Sequence, residues 1–222
     1  MTPKGGHDME KIKISVSKYT YDILLKDMDL FEMYKKNGEL NKNEFLNRLI
    51  INYYDEYSLS NKEQEEKIES IISKHFEDID NFDKTNLAND ILESIKDNLF
   101  FSNADEGSVI INLKPTKESI PTINLILNKS INNRSISSYF RGMFDSYVNL
   151  TLNLRERIIF KEVYENLIKS LMKSKKVFIT LRNENSSPLT GSLYCLKDSK
   201  EEMFNYCLFD VNSSSQTIRL SR

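Results

Sequence analysis

Residues 11–60 present more apolar surface than they can hide by themselves. Lys11-Ile12-Lys13-Ile14-Ser15-Val16 alternates polar with β-branched residues, the period of a strand with one buried face. It runs into a helical stretch opened by Ser17. After a Gly38 break, a second helical stretch begins at Asn41-Lys42-Asn43-Glu44. One strand and two helices leave the strand edge unpaired and one helical face uncovered, so the unit needs a second copy.

The alternation turns Ile12, Ile14 and Val16 toward the helices and Lys11, Lys13 and Ser15 outward. Two ammonium groups and a hydroxyl on one face can donate to phosphates or base edges. Asn41 suits an N-cap, and Glu44 three residues later completes a capping-box pattern. The free N–H groups of that helix end would attract a phosphate, with Lys42 and Asn43 beside them. A strand, helix and helix at this spacing resemble the ribbon-helix-helix family of DNA-binding proteins, whose paired strands enter the major groove. The resemblance implies base reading by Lys11, Lys13 and Ser15 and phosphate contacts at Asn41, Lys42 and Asn43. The plainer alternative is a half-buried edge strand whose lysines keep it soluble.

The opening pattern returns in Ser108-Val109-Ile110-Ile111-Asn112-Leu113-Lys114. A helical stretch through Ile123 and Leu127 follows, then an Asn132-Asn133 break, then a helix from Ser135. A shift of 94 residues aligns Asn41 with Ser135, Leu49 with Met143 and Tyr53 with Tyr147; apolar positions match while identities hardly do. Two ribbon-helix-helix halves are therefore expected, at 9–58 and 107–152, pairing within one chain or between chains. The outward residues of the second strand, Ile110, Asn112 and Lys114, differ from those of the first. A ribbon built from both is chemically asymmetric and suits a non-palindromic site or a single strand.

Between the halves, residues 59–106 read as an acidic helical connector, with Ile68, Ile71, Ile72, Phe76 and Ile79 on one face. Leu87, Ile91, Leu92, Ile95 and Leu99 mark a further helix after a break from Asp78 to Lys84. Charge is unevenly spread. Residues 58–107 carry 5 Lys/Arg against 13 Asp/Glu, whereas residues 108–222 carry 17 against 10. The overall net charge of -2 thus masks a basic C-terminal half of the kind that meets a polyanion.

Past residue 153, Arg155-Glu156-Arg157-Ile158-Ile159-Phe160 leads into a helix ended by Ser174-Lys175-Lys176. Four β-like stretches follow, Val177 to Arg182, Leu189 to Leu196, Glu202 to Asp210 and Thr217 to Ser221. Pro188, the Phe204-Asn205-Tyr206-Cys207-Leu208 strand and the closing Ile218-Arg219-Leu220-Ser221-Arg222 resemble the WYL domain, a small Sm-like β-barrel of bacterial regulators. The name-giving Trp-Tyr-Leu stands here as Asn205-Tyr206-Cys207. Family members usually continue past the position of Arg222, so the barrel is expected to be minimal or the sequence incomplete. The resemblance implies a nucleotide or nucleic-acid effector bound by Tyr206, Arg219 and Arg222, and Arg182 joins them by its place at a strand end. Tyr206 either stacks on a base or fills the barrel core.

The expected fold is therefore α+β, with ribbon-helix-helix units, a helical connector and a WYL-like β-barrel at 153–222. No nucleophile–base pair, paired carboxylates or phosphate-cradling glycine loop stands out, so catalysis is not expected and no cofactor is called for. His7 and His75 make no metal cluster. Cys195 and Cys207 read as ordinary thiols of a reducing cytoplasm. Mean hydropathy is -0.49, and no apolar run nears the roughly 18 residues of a membrane span. Met1 to Met9 holds no signal-peptide core.

The leading expectation is a ligand-responsive transcription regulator, a homodimer on duplex DNA. The alternative is a layout similar to WYL accessory proteins of RNA-targeting CRISPR systems, which bind single-stranded RNA and modulate a nuclease. A third reading is a pure interaction module with no nucleic-acid partner.

Overall fold

The computed structural model describes residues 11–76, 79–102, 107–129, 135–181 and 188–222. Asp78, the Asn132-Asn133 break and Arg182 lie outside them, as does the side chain of Leu99. The elements run β1 (Ile12–Ser17), α1 (Lys18–Leu30), α2 (Lys42–His75), α3 (Asn81–Ser102), β2 (Ser108–Leu113), α4 (Ile120–Lys129) and α5 (Ile136–Val148). They continue with α6 (Leu152–Ile159), α7 (Lys161–Met172), β3 (Lys176–Ile179), β4 (Leu189–Asp198), β5 (Asn205–Val211) and β6 (Ser214–Arg219). The fold is α+β, with small antiparallel sheets. No described helix is long and apolar enough to cross a membrane. The chain divides into two compact units, Met1–Leu24 with Leu46–Tyr147, and Leu25–Phe45 with Val148–Arg222.

In the first unit β1 and β2 pair antiparallel within the one chain, from Ile12 opposite Leu113 to Ser17 opposite Ser108. Ile14, Val16 and Leu113 are fully buried, as one face of each strand must be when helices cover it. Ser17 caps α1 by accepting the Thr20 N–H at 3.0 Å. Ser135 caps α5 in the same way, accepting from the Ser138 N–H at 3.1 Å. Leu49 and Ile50 of α2 and Phe140, Met143 and Phe144 of α5 are fully buried, which is where the repeat placed its apolar positions. Tyr53 and Tyr147 meet edge-on at 6.2 Å, and the Tyr53 hydroxyl lies 2.9 Å from Ser146 Oγ. Gly142 lets α5 close on Tyr57, since a Cβ there would sit 2.6 Å from the tyrosine oxygen.

The two helical stretches expected on either side of residue 60 are one helix of 34 residues. Ser58-Leu59-Ser60-Asn61 contains neither Gly nor Pro, so nothing there ends a helix already packed on both sides. In α3, Thr85 and Asn89 donate to Glu69 and Glu65 of α2 at 2.6 and 2.8 Å.

In the second unit the strands form one antiparallel sheet in the order β3-β4-β5-β6. Asn212 and Ser213 join β5 to β6 with φ of 52° and 64°, the left-handed pair of a type I′ hairpin. Gly191 is required by close approach, because a Cβ there would lie 2.9 Å from the Asp210 carbonyl. The expected closed barrel is not present among the described residues. β3 pairs only with β4 and β6 only with β5. Four strands give too small a circumference to close around their own side chains.

The stretch from Arg155 to the expected helix end at Ser174 holds two helices, α6 and α7, broken at Phe160, where φ is -109°. That ring is buried against Phe31, with centroids 5.9 Å apart, and Phe31 also meets Phe204 at 6.5 Å. α7 ends in a Schellman turn. Ser174 takes a φ of 49°, and the Lys175 N–H reaches the Ser170 carbonyl at 3.1 Å.

Candidate nucleic-acid interface

The pleat of the β1–β2 ribbon gathers one set of predicted residues on its outer face. Register places Lys13 opposite Asn112 and Ser15 opposite Ile110. Lys11 and Lys114 flank the same end of the ribbon, and Lys11, Lys13, Asn112 and Lys114 are all exposed. Among the described residues the side chains of Lys11 and Lys13 have no ion-pair or hydrogen-bond partner. Ile110 interrupts this polar row with an apolar side chain that is 63% exposed. The face thus offers ammonium groups, an amide and one apolar contact over six residues of strand.

Asn47 supports that face, and sequence reasoning missed it. It is 3% exposed, donates through Nδ2 to the Lys114 carbonyl at 3.1 Å, and accepts at Oδ1 from Ser119 Oγ and the Thr116 N–H. A buried amide with both ends satisfied fixes the backbone that follows β2 and so the root of the Lys114 side chain. The signal was an Asn among the apolar residues Phe45, Leu46, Leu49 and Ile50, a place where a buried amide needs partners.

Asn41, Lys42 and Asn43 belong to the second unit. Asn41 caps α2, accepting from the Glu44 N–H at 3.4 Å and donating to the Glu44 carboxylate at 2.6 Å. The expected capping box is thus made side chain to side chain, while the Asn41 N–H is held by the Met33 carbonyl at 2.7 Å.

The second predicted set, Tyr206, Arg219 and Arg222, also comes together. Tyr206 and Arg219 are directly opposite on β5 and β6. The Tyr206 hydroxyl donates to Glu202, and that bond raises the phenol pKa above its ordinary value. Both arginines meet an anion, and it is the chain's own Glu32. Arg222 Nη2 and Nε lie 3.0 and 3.1 Å from Glu32 Oε1, and Arg219 Nη2 lies 3.4 Å from it. Arg219 also donates to the Leu30 carbonyl at 2.9 Å and lies 4.3 Å over the Phe204 ring. Glu32 holds a φ of 53°, the left-handed region that a side chain rarely adopts. Beside the arginines a cavity of about 280 Å³ opens between α7 and the sheet, lined by Val163, Leu167, Val177, Ile179, Cys207 and Phe209. Burial pushes the Cys207 thiol up to about 12, with the Glu156 carboxylate adding to the shift. The thiol is therefore a core group here, without thiolate chemistry.

Two carboxylates organise this unit from inside. Asp27 is fully buried and receives Nε and Nη2 of Arg155 at 2.7 and 3.0 Å. Glu156 is likewise buried and accepts from the Asn205 N–H and side chain at 2.7 and 2.8 Å and from the Ser221 N–H at 3.0 Å.

No family model matches the sequence, and no curated protein matches it. A solved structure described as that of a CRISPR Cas-related protein is similar in fold. It covers 100% of this chain with a TM-score of 0.61 and 16% identity. This chain spans 64% of the length of that protein. At that identity the likeness concerns the fold alone.

Proposed function

We propose that this chain is a non-catalytic, nucleic-acid-binding accessory protein of a CRISPR–Cas system, and that single-stranded RNA binds the outer face of the β1–β2 ribbon. The observation that carries the reading is the row Lys11, Lys13, Asn112 and Lys114 on one exposed strand face, with two ammonium groups uncompensated among the described residues. Ribbon asymmetry supports a single strand over a palindromic duplex, because the two strands offer different groups. The fold likeness to a CRISPR Cas-related protein supports the setting. On this reading residues 9–58 and 107–152 are two ribbon-helix-helix halves. Residues 153–222 are a reduced WYL-like module, and the protein works in the cytoplasm, modulating an RNA-guided nuclease.

A second reading keeps the ribbon and changes the polymer. A two-stranded antiparallel ribbon is narrow enough for the major groove of duplex DNA, as a transcription regulator would require.

Fluorescence polarisation against single-stranded RNA, single-stranded DNA and random duplex DNA at about 50 and 200 mM salt separates the two. RNA is expected to bind best, and Lys11→Ala/Lys13→Ala to weaken it at least tenfold while lowering the salt slope by about 1.4. Preference for duplex, lost in the same variant, moves the assignment to a regulator. Binding that the variant leaves intact removes the ribbon from the reading.

A further inference from the structure

We infer that α3 carries a docking stripe for a basic amphipathic helix of a protein partner. Ala88 and Leu92 are buried at 0% and 4%, and Thr85 and Asn89 bond to α2, so positions 85, 88, 89 and 92 define the inward side of the helix. Leu87, Ile91 and Ile95 repeat every four residues and form a stripe along one flank of that side. Leu87 is 38% and Ile95 49% exposed. A soluble helix gains nothing from aliphatic side chains at this spacing outside its packed face unless something covers them.

Charge selects the occupant. Asp83 and Asp90 stand four residues before and three after Leu87, on the same face, and both are exposed. Lys84 is the one cation of that face among the described residues, and residues 58–107 as a whole carry 13 acidic against 5 basic side chains. Nucleic acid is repelled by such a surface. A second copy laid stripe to stripe would bring acid onto acid. An apolar stripe rimmed with carboxylates instead fits a helix whose own apolar stripe is rimmed with Lys or Arg, docked helix against helix. This site is independent of the ribbon and of the RNA-binding reading.

The test uses the full chain and two fluorescein-labelled peptides of equal length, one of Leu and Lys at amphipathic spacing and one of Leu and Glu. Anisotropy should show micromolar binding of the Leu/Lys peptide alone, weaker at 200 than at 50 mM salt. Leu87→Ser/Ile95→Ser should weaken it about tenfold or more. Asp83→Lys/Asp90→Lys should weaken it several-fold and flatten the salt dependence. RNA binding should be unchanged in the serine variant. Hydrogen exchange on the wild type should show α3 amides protected by the Leu/Lys peptide, which guards against a variant that fails to fold. Equal binding of both peptides, or serine variants that bind as wild type, overturn the proposal. So does a wild-type dimer in sedimentation equilibrium that the serine variant dissociates, which gives the stripe to a second copy.

Discussion

Two pairs of cations among the described residues, one on the ribbon and one at the end of β6, differ in who supplies the anion. On the ribbon, Lys11 and Lys13 project from alternate positions of an exposed strand face, and no described carboxylate meets them. At the end of β6, Arg219 and Arg222 share the Glu32 carboxylate, which comes from the turn after α1. The first pair is open to a polyanion. The second is already answered. A cation in a sequence therefore reports a charge but not its availability, which depends on where the counter-ion lies in space.

The contrast is broken most severely where the internal anion is deepest. Arg155→Ala leaves the fully buried Asp27 carboxylate without its guanidinium and should cost about 3–5 kcal/mol, measured by urea unfolding. The ribbon lysines predict the opposite. Lys11→Ala/Lys13→Ala should change stability by less than about 0.5 kcal/mol while weakening nucleic-acid binding, as surface substitutions do. Glu32→Ala falls between. Glu32 and Arg219 are 25% and 20% exposed, so losing the shared carboxylate should cost about 1–3 kcal/mol. It also opens the arginine pair, and sulfate should then raise the Tm of the variant more than that of the wild type. Equal sulfate responses would mean that the two arginines do not form an anion site once vacated.

The smallest effect tests an anion whose charged form burial disfavours. Burial raises the Asp145 carboxyl pKa above the ordinary value of 3.8, against opposing pulls from the Thr20 hydroxyl, 2.5 Å away, and from Arg141. A carboxyl whose folded pKa is raised destabilises the fold when it ionises. The cost is absent below about 3.8, grows as pH rises toward the folded value and is constant above it. Asp145→Asn removes that cost. Its stability relative to wild type should rise from pH 4 upward and then level off; a difference flat with pH would show that Asp145 titrates normally.

The ribbon was legible because its signals are local. Alternation decides which of Ile14 and Lys13 is buried, and Ser17, Asn41 and Ser135 cap helices within three residues of themselves. The four strands of the second unit were legible for the same reason, within a few residues at their ends. What stayed hidden depends on partners distant in the chain. Glu32 meets Arg219 across 187 residues, and Asn47 holds Thr116 and Ser119 across about seventy. The closed barrel was expected by resemblance, and strand count decided against it. The sequence divides the long α2 near residue 60, where its apolar pattern gives way to an acidic one, whereas a helix ends only where its backbone is stopped.

The membership of Leu25–Phe45 in the second unit has a consequence for cutting the molecule. The chain crosses between units three times, after Leu24, Phe45 and Tyr147, so no single scission releases either unit whole. A fragment ending at Tyr147 strands Phe31, Met33 and Phe45, all buried at 0% in the full chain, without the sheet-bearing segment of their unit. A fragment beginning at Val148 loses Asp27 and Glu32 and exposes two sets of unanswered arginines. Neither piece coincides with a unit.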